Sequence, residues 1–84
     1  MTWNVIIERE AQRNLKRFPE RDRNRIAAAL VAMQQGPFAG DVVQLKGSAA
    51  YRRRVGAYRI LFTLRVDQRR INVTNIVRRT STTY

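Results

Sequence analysis

Apolar positions change their spacing twice along this 84-residue chain. Trp3-Asn4-Val5-Ile6-Ile7-Glu8 alternates imperfectly but is rich in strand formers, which predicts a short first strand. From Glu8 the period lengthens. Ala11, Leu15 and Phe18 recur at helical spacing while Arg13, Lys16 and Arg17 point elsewhere, so an amphipathic helix follows and stops at Pro19. Glu8 and Glu10 near its start and Lys16-Arg17 near its end suit the helix dipole. A second helix begins at Pro19 or Glu20, carries Ile26, Ala29, Leu30 and Met33 as its apolar stripe, and closes at Gln34-Gln35-Gly36-Pro37. With almost no loop between them, the two helices form an antiparallel hairpin.

The period then falls to two. Phe38 to Asp41 reads as a loop, Val42 to Leu45 as a brief extended piece or strand start, and Tyr51 to Val55, Tyr58 to Val66 and Ile71 to Val77 as strands. Tyr58, Ile60, Phe62 and Leu64 share one face of the middle run, and Ile71, Val73, Asn75 and Val77 one face of the last, with Asp67 to Arg70 as the turn between. The expected architecture is α+β: β-α-α-β-β-β, an antiparallel sheet with the helix hairpin on one face, in a single domain over residues 1–84.

Gly56-Ala57 between two strand runs fits a type II′ hairpin turn. Counting outward, Val55 faces Tyr58, Arg54 faces Arg59, Arg53 faces Ile60 and Arg52 faces Leu61. Arg52, Arg54 and Arg59 then share the face without helices. Opposed like charges disfavour a sheet by a few tenths to ~1 kcal/mol. An anion between them would relieve that cost, although long arginine side chains can also splay into solvent.

Composition gives this cluster a context. The chain has 17 Lys or Arg against 6 Asp or Glu, for a formal charge of +11, and lacks His and Cys. Disulfides, imidazole or thiolate metal sites and nucleophilic schemes needing Cys or His are excluded. Residues 1–41 carry a net +2 and residues 42–84 a net +9. Only Lys16 and Lys46 are lysine, and the arginine fork suits phosphate, so nucleic acid is the favoured partner over a merely solvated surface. No segment reads as membrane-spanning or as a signal peptide, and a cytoplasmic location is expected. The end of the chain, Arg78-Arg79 followed by Thr80 to Tyr84, reads equally as a polar tail or as an element that stacks bases and contacts phosphate.

These pieces together resemble the RelE/ParE superfamily of toxins from type II toxin–antitoxin systems. The likeness is carried by Ala11 and Leu15-Lys16-Arg17, by Leu45-Lys46-Gly47, by Tyr51-Arg52-Arg53-Arg54-Val55-Gly56-Ala57-Tyr58-Arg59-Ile60-Leu61-Phe62, and by Ile76-Val77-Arg78-Arg79 with Tyr84. The resemblance implies a RelE-like ribosome-dependent mRNA endonuclease or, alternatively, a ParE-like inhibitor of DNA gyrase without chemistry of its own. It also implies a cognate antitoxin as partner and no cofactor or metal. By position the family's basic residues and C-terminal Arg and Tyr carry over onto Arg52, Arg54, Arg59, Arg78 and Tyr84; Arg54, Arg59, Arg78 and Tyr84 are the catalytic candidates, and Arg52, with Lys46 and Arg79 beside it in the basic half of the chain, the candidate RNA contacts. The chain departs from RelE in having arginines, not lysines, at positions 52 and 54.

Cleavage by the 2′-hydroxyl requires that hydroxyl to lose a proton and the phosphorane's charge to be stabilised. Arginine holds its proton too tightly to be a base, so Arg54, Arg59 and Arg78 are expected to clamp the phosphate. Tyr84, its pKa lowered by such a cluster, is the candidate base or base-stacker. A weak acid–base apparatus would leave orientation to the ribosome.

Overall fold

The computed structural model describes residues 2–79. Strand β1 (Asn4–Ile7) leads into helix α1 (Arg9–Arg17), and Pro19 separates it from α2 (Glu20–Met33). Phe18 N–H donates to Leu15 O, and Arg23 Nη1 donates to Phe18 O at 2.6 Å, so the corner between the helices is closed by its own polar groups. After the Gly36–Asp41 loop come β2 (Val42–Gln44), β3 (Tyr51–Val55) and β4 (Tyr58–Arg65). A single 3-10 turn over Val66–Gln68 then returns the chain along β5 (Arg70–Arg78).

The strands form one sheet in the order β1-β5-β4-β3-β2, an α+β fold with both helices on the same face. The β2–β3, β3–β4 and β4–β5 pairs are antiparallel, whereas β1 runs parallel to β5. That mixed edge differs from the all-antiparallel expectation. Hairpins occupy both sides of β4, and β1 takes the outer edge of β5, from which Val5 and Ile7 pack against the core. Val42–Gln44, read from sequence as a brief extended piece, is a fifth strand paired to β3.

Ile26 and Met33 of α2 meet Ile60, Phe62, Ile71, Val73 and Ile76 of the sheet, all fully buried. Each contributes roughly 1.5–3 kcal/mol by leaving water. Tyr51 stacks on Phe62 with ring centroids 5.5 Å apart, and Phe38 meets Tyr51 edge-on. On α1, Ala11 is buried and Asn14 Nδ2 donates to Asn75 Oδ1 at 2.7 Å, which holds that helix over β5.

One irregularity redirects side chains near the site. The β4–β5 register shifts between Leu61 and Phe62, so Leu61 pairs with Asn75 but Phe62 with Val73. Thr74 is the extra residue, and its hydroxyl donates to Leu61 O. This bulge reverses the alternation expected for β5. Ile71 and Val73 face the core as expected, but beyond the bulge the core residue is Ile76, and Val77 stands opposite Arg59 on the other face.

Candidate nucleic-acid interface

The β3–β4 turn determines which face each arginine occupies. Gly56 has φ +58°, the left-handed value demanded at the first central position of a type II′ turn, while Ala57 is not left-handed. The resulting pairs are Val55 with Tyr58, Arg54 with Arg59, Arg53 with Ile60 and Arg52 with Leu61. Because Tyr58, Ile60 and Phe62 are buried beneath the helices, Arg52, Arg54 and Arg59 project from the helix-free face.

Arg53 belongs to the other side. Its Nη1 donates to Ala29 O of α2 at 3.1 Å, and its guanidinium packs against Gly40. A Cβ on Gly40 would lie 2.8 Å from Arg53 Nη2, and its φ of +88° also favours glycine. Arg53 thus pins the loop from the helix side, and Asp41, which follows Gly40, extends the sheet by accepting at its carbonyl from Arg54 N–H at 2.9 Å.

Asp41 is the counter-ion that sequence reasoning missed. Its two oxygens lie 3.8 Å from Arg52 Nη1 and 3.9 Å from Arg54 Nε. Those separations exceed hydrogen-bond length, and the carboxylate is 55% exposed, so each contact stabilises by at most about 1 kcal/mol. One carboxylate among three guanidiniums leaves an excess of positive charge. Arg52 is only 16% exposed, and both its Nη1 and Arg59 Nε are buried without a hydrogen-bond partner among the described residues. Unmade bonds of this kind cost about 1–3 kcal/mol. Finding Asp41 from sequence needed the β2–β3 register, which a three-residue strand does not announce.

No family model and no curated protein matches this chain. Solved structures do. A RelE–RelB complex from Pyrococcus horikoshii aligns over 98% of this chain and 100% of that one, with a TM-score of 0.85 and 23% identity. A RelBE2 toxin–antitoxin complex from Mycobacterium tuberculosis aligns over 94% and 100%, with a TM-score of 0.86 and 17% identity. The isolated RelE toxin of E. coli aligns over 96% and 88%, with a TM-score of 0.82 and 13% identity. Because that last structure is the toxin alone, it decides which half of such a pair the fold matches. The fold is that of these RelE structures.

Not every residue expected of a RelE-like site reaches the arginine row. Arg78 pairs with Tyr58, one row beyond Arg54 and Arg59, and therefore projects on the helix side of the sheet. The bulge at Thr74 brings Arg78 into this phase, which unbroken counting along β5 misplaces. Its charge is felt there by Tyr58, whose hydroxyl donates to Asp22 Oδ2 at 2.6 Å. That hydrogen bond, then burial, then the Asp22 charge raise the Tyr58 pKa above 10.0, while Arg78 opposes the shift. Arg79 is exposed, and its N–H closes on Ala57 O at 2.6 Å beside the hairpin turn. Lys46 lies exposed in the β2–β3 turn, at the opposite end of β3 from Arg54. Tyr84 lies outside the described residues. Among those residues no group of three acidic side chains could hold a metal ion, and no helix is long and apolar enough to cross a membrane.

Proposed function

We propose that this chain is the toxin of a type II toxin–antitoxin pair and acts in the cytoplasm as a ribosome-dependent mRNA endonuclease. The observation that carries the reading is the cluster of Arg52, Arg54 and Arg59 on the helix-free face, where Arg52 Nη1 and Arg59 Nε have no hydrogen-bond partner among the described residues and one carboxylate, Asp41, faces three guanidiniums. The RelE-type fold supports the same class, and the RelE–RelB and RelBE2 complexes support an antitoxin as the binding partner.

In this reading the scissile phosphate sits over the Arg54–Arg59 pair and accepts from both forks. The 2′-hydroxyl oxygen gives its proton to the base and attacks phosphorus, the bond to the 5′-oxygen breaks, and that oxygen takes a proton from water, leaving a 2′,3′-cyclic phosphate and a 5′-hydroxyl. Negative charge grows on the non-bridging oxygens as the phosphorane forms, and fixed guanidiniums stabilise it more than they stabilise the ground state. Arg52, held deeper in the sheet, contributes charge beside the pair. Arginine cannot take the 2′ proton, so Tyr84 is proposed as the base or as a stacking platform for the adjacent nucleotide. Arg78, on the other face, acts at most on RNA passing the end of the sheet, where Arg79 is also exposed. Lys46 is proposed to contact backbone away from the reacting phosphate.

The gyrase-inhibitor alternative is the weaker reading, since the structural relatives described above carry the RelE name. Overexpression separates the residue roles: Arg59→Ala and Tyr84→Phe should each restore growth. If neither lessens toxicity, the assignment of the site is wrong.

A further inference from the structure

The helix-free face does not end at Arg59. Further along β4, Arg65 stands directly opposite Arg70 of β5. Both alternate away from Leu64 and Ile71, which pack into the core, so they emerge on the same face as Arg54 and Arg59. Among the described residues this is the second opposed arginine pair in the sheet, and like-charge repulsion opposes it too. Its counter-ion is again one exposed carboxylate, with Asp67 Oδ1 3.8 Å from Arg65 Nε. Arg70 Nε is buried with no hydrogen-bond partner among the described residues, as are Arg52 Nη1 and Arg59 Nε at the other end.

Acids reach this face only at its margins. Asp41 precedes edge strand β2, and Asp67 lies in the turn beyond β4. At the β1 edge Glu8 accepts from Asn72 Nδ2 at 3.4 Å. The central strands present arginines at both ends, with Leu61, Thr63 and Asn72 between them and Ile6 alongside, 39% exposed. Arg59 and Arg65 are six residues apart on β4, or about 20 Å at ~3.3 Å per residue. That length matches about six nucleotides of a stacked single strand, and fewer of an extended one.

We propose that Arg65 and Arg70 form a second phosphate-binding station, so that single-stranded RNA held at Arg54 and Arg59 runs along β4 with its bases over the neutral floor. The identity of the first station rests on the nuclease reading; the second station is a claim about RNA binding alone. An acidic protein segment would not need two charge pairs separated by a strand's length of neutral surface, whereas a polyphosphate backbone does.

The test uses fluorescence anisotropy with the full chain and 2′-O-methyl RNA, which cannot be cleaved by 2′ attack, in lengths of about three and about eight nucleotides. Wild type should bind the longer strand about tenfold more tightly. Arg65→Gln/Arg70→Gln should erase that advantage and reduce the salt slope by about 1.4, from two lost contacts at ~0.7 each. Arg65→Lys/Arg70→Lys, which keeps both charges, should retain the slope, and melting temperatures no lower than that of the wild type confirm folding of both variants. A length advantage and slope unchanged in the Gln variant overturn the proposal. So does a Gln variant that binds RNA normally but its antitoxin weakly, which would make the far end of the face a protein-docking surface. Failure of the wild type to cleave ribosome-bound mRNA, with the length dependence intact, would sink the nuclease reading and leave this station standing.

Discussion

Arg54 and Arg59 are directly opposed across the β3–β4 ladder, on the side of the sheet away from both helices. Their pairing is enforced by the Gly56 turn and by the buried row of Tyr58, Ile60 and Phe62 beneath them. A one-residue slip would relieve the repulsion but would bury arginines and expose that row, which is far costlier. Core packing therefore holds a repulsive pair in place.

Replacing one member should expose that tension. Arg54→Gln or Arg59→Gln should raise stability by a few tenths to ~1 kcal/mol, measured by urea unfolding, while reducing growth inhibition. A variant both less stable and fully toxic would contradict the assignment.

Asp41 neutralises part of the cluster and competes with any incoming phosphate. Asp41→Asn should raise affinity for single-stranded RNA by up to about fivefold and change stability by less than about 1 kcal/mol. Affinity measured over a salt series checks this, since the gain must shrink as salt rises.

The turn itself can be tested. Gly56 has φ +58°, and an added Cβ would meet the Arg25 guanidinium at 3.2 Å. Gly56→Ala should cost about 1–2 kcal/mol. Because the register also aligns Arg54 with Arg59, RNA affinity should fall together with stability.

Tyr58 ties β4 to α2 through Asp22, and its raised pKa sets a direction for alkaline stability. The protonated phenol donates the bond, so its contribution is complete below the unfolded value near 10 and is lost as pH climbs through the higher folded value. Tyr58→Phe should cost roughly 1–3 kcal/mol near neutrality and flatten the alkaline limb of a stability–pH profile.

Much of this geometry was legible in the sequence because it followed from counting. The period-two run from Tyr58, the Gly-Ala turn and the Pro and Gly stops placed both helices and the Arg52, Arg54 and Arg59 face. What was not legible depends on pairing between distant segments. The parallel seat of β1 beside β5 joins segments more than sixty residues apart, which local patterning does not encode. Asp41 reaches Arg52 and Arg54 only because three residues of β2 pair with β3. The bulge at Thr74 has no local signal and reverses the faces of Val77 and Arg78. Arg70 was read as part of a turn, which concealed its opposition to Arg65.

The most direct measurement incubates purified protein with ribosomes programmed with a defined mRNA and maps the cut ends, alongside a gyrase supercoiling assay. The wild type should cleave ribosome-bound mRNA, Arg59→Ala should lose that cleavage, and supercoiling should be unaffected. Intact mRNA together with blocked supercoiling would contradict the nuclease reading.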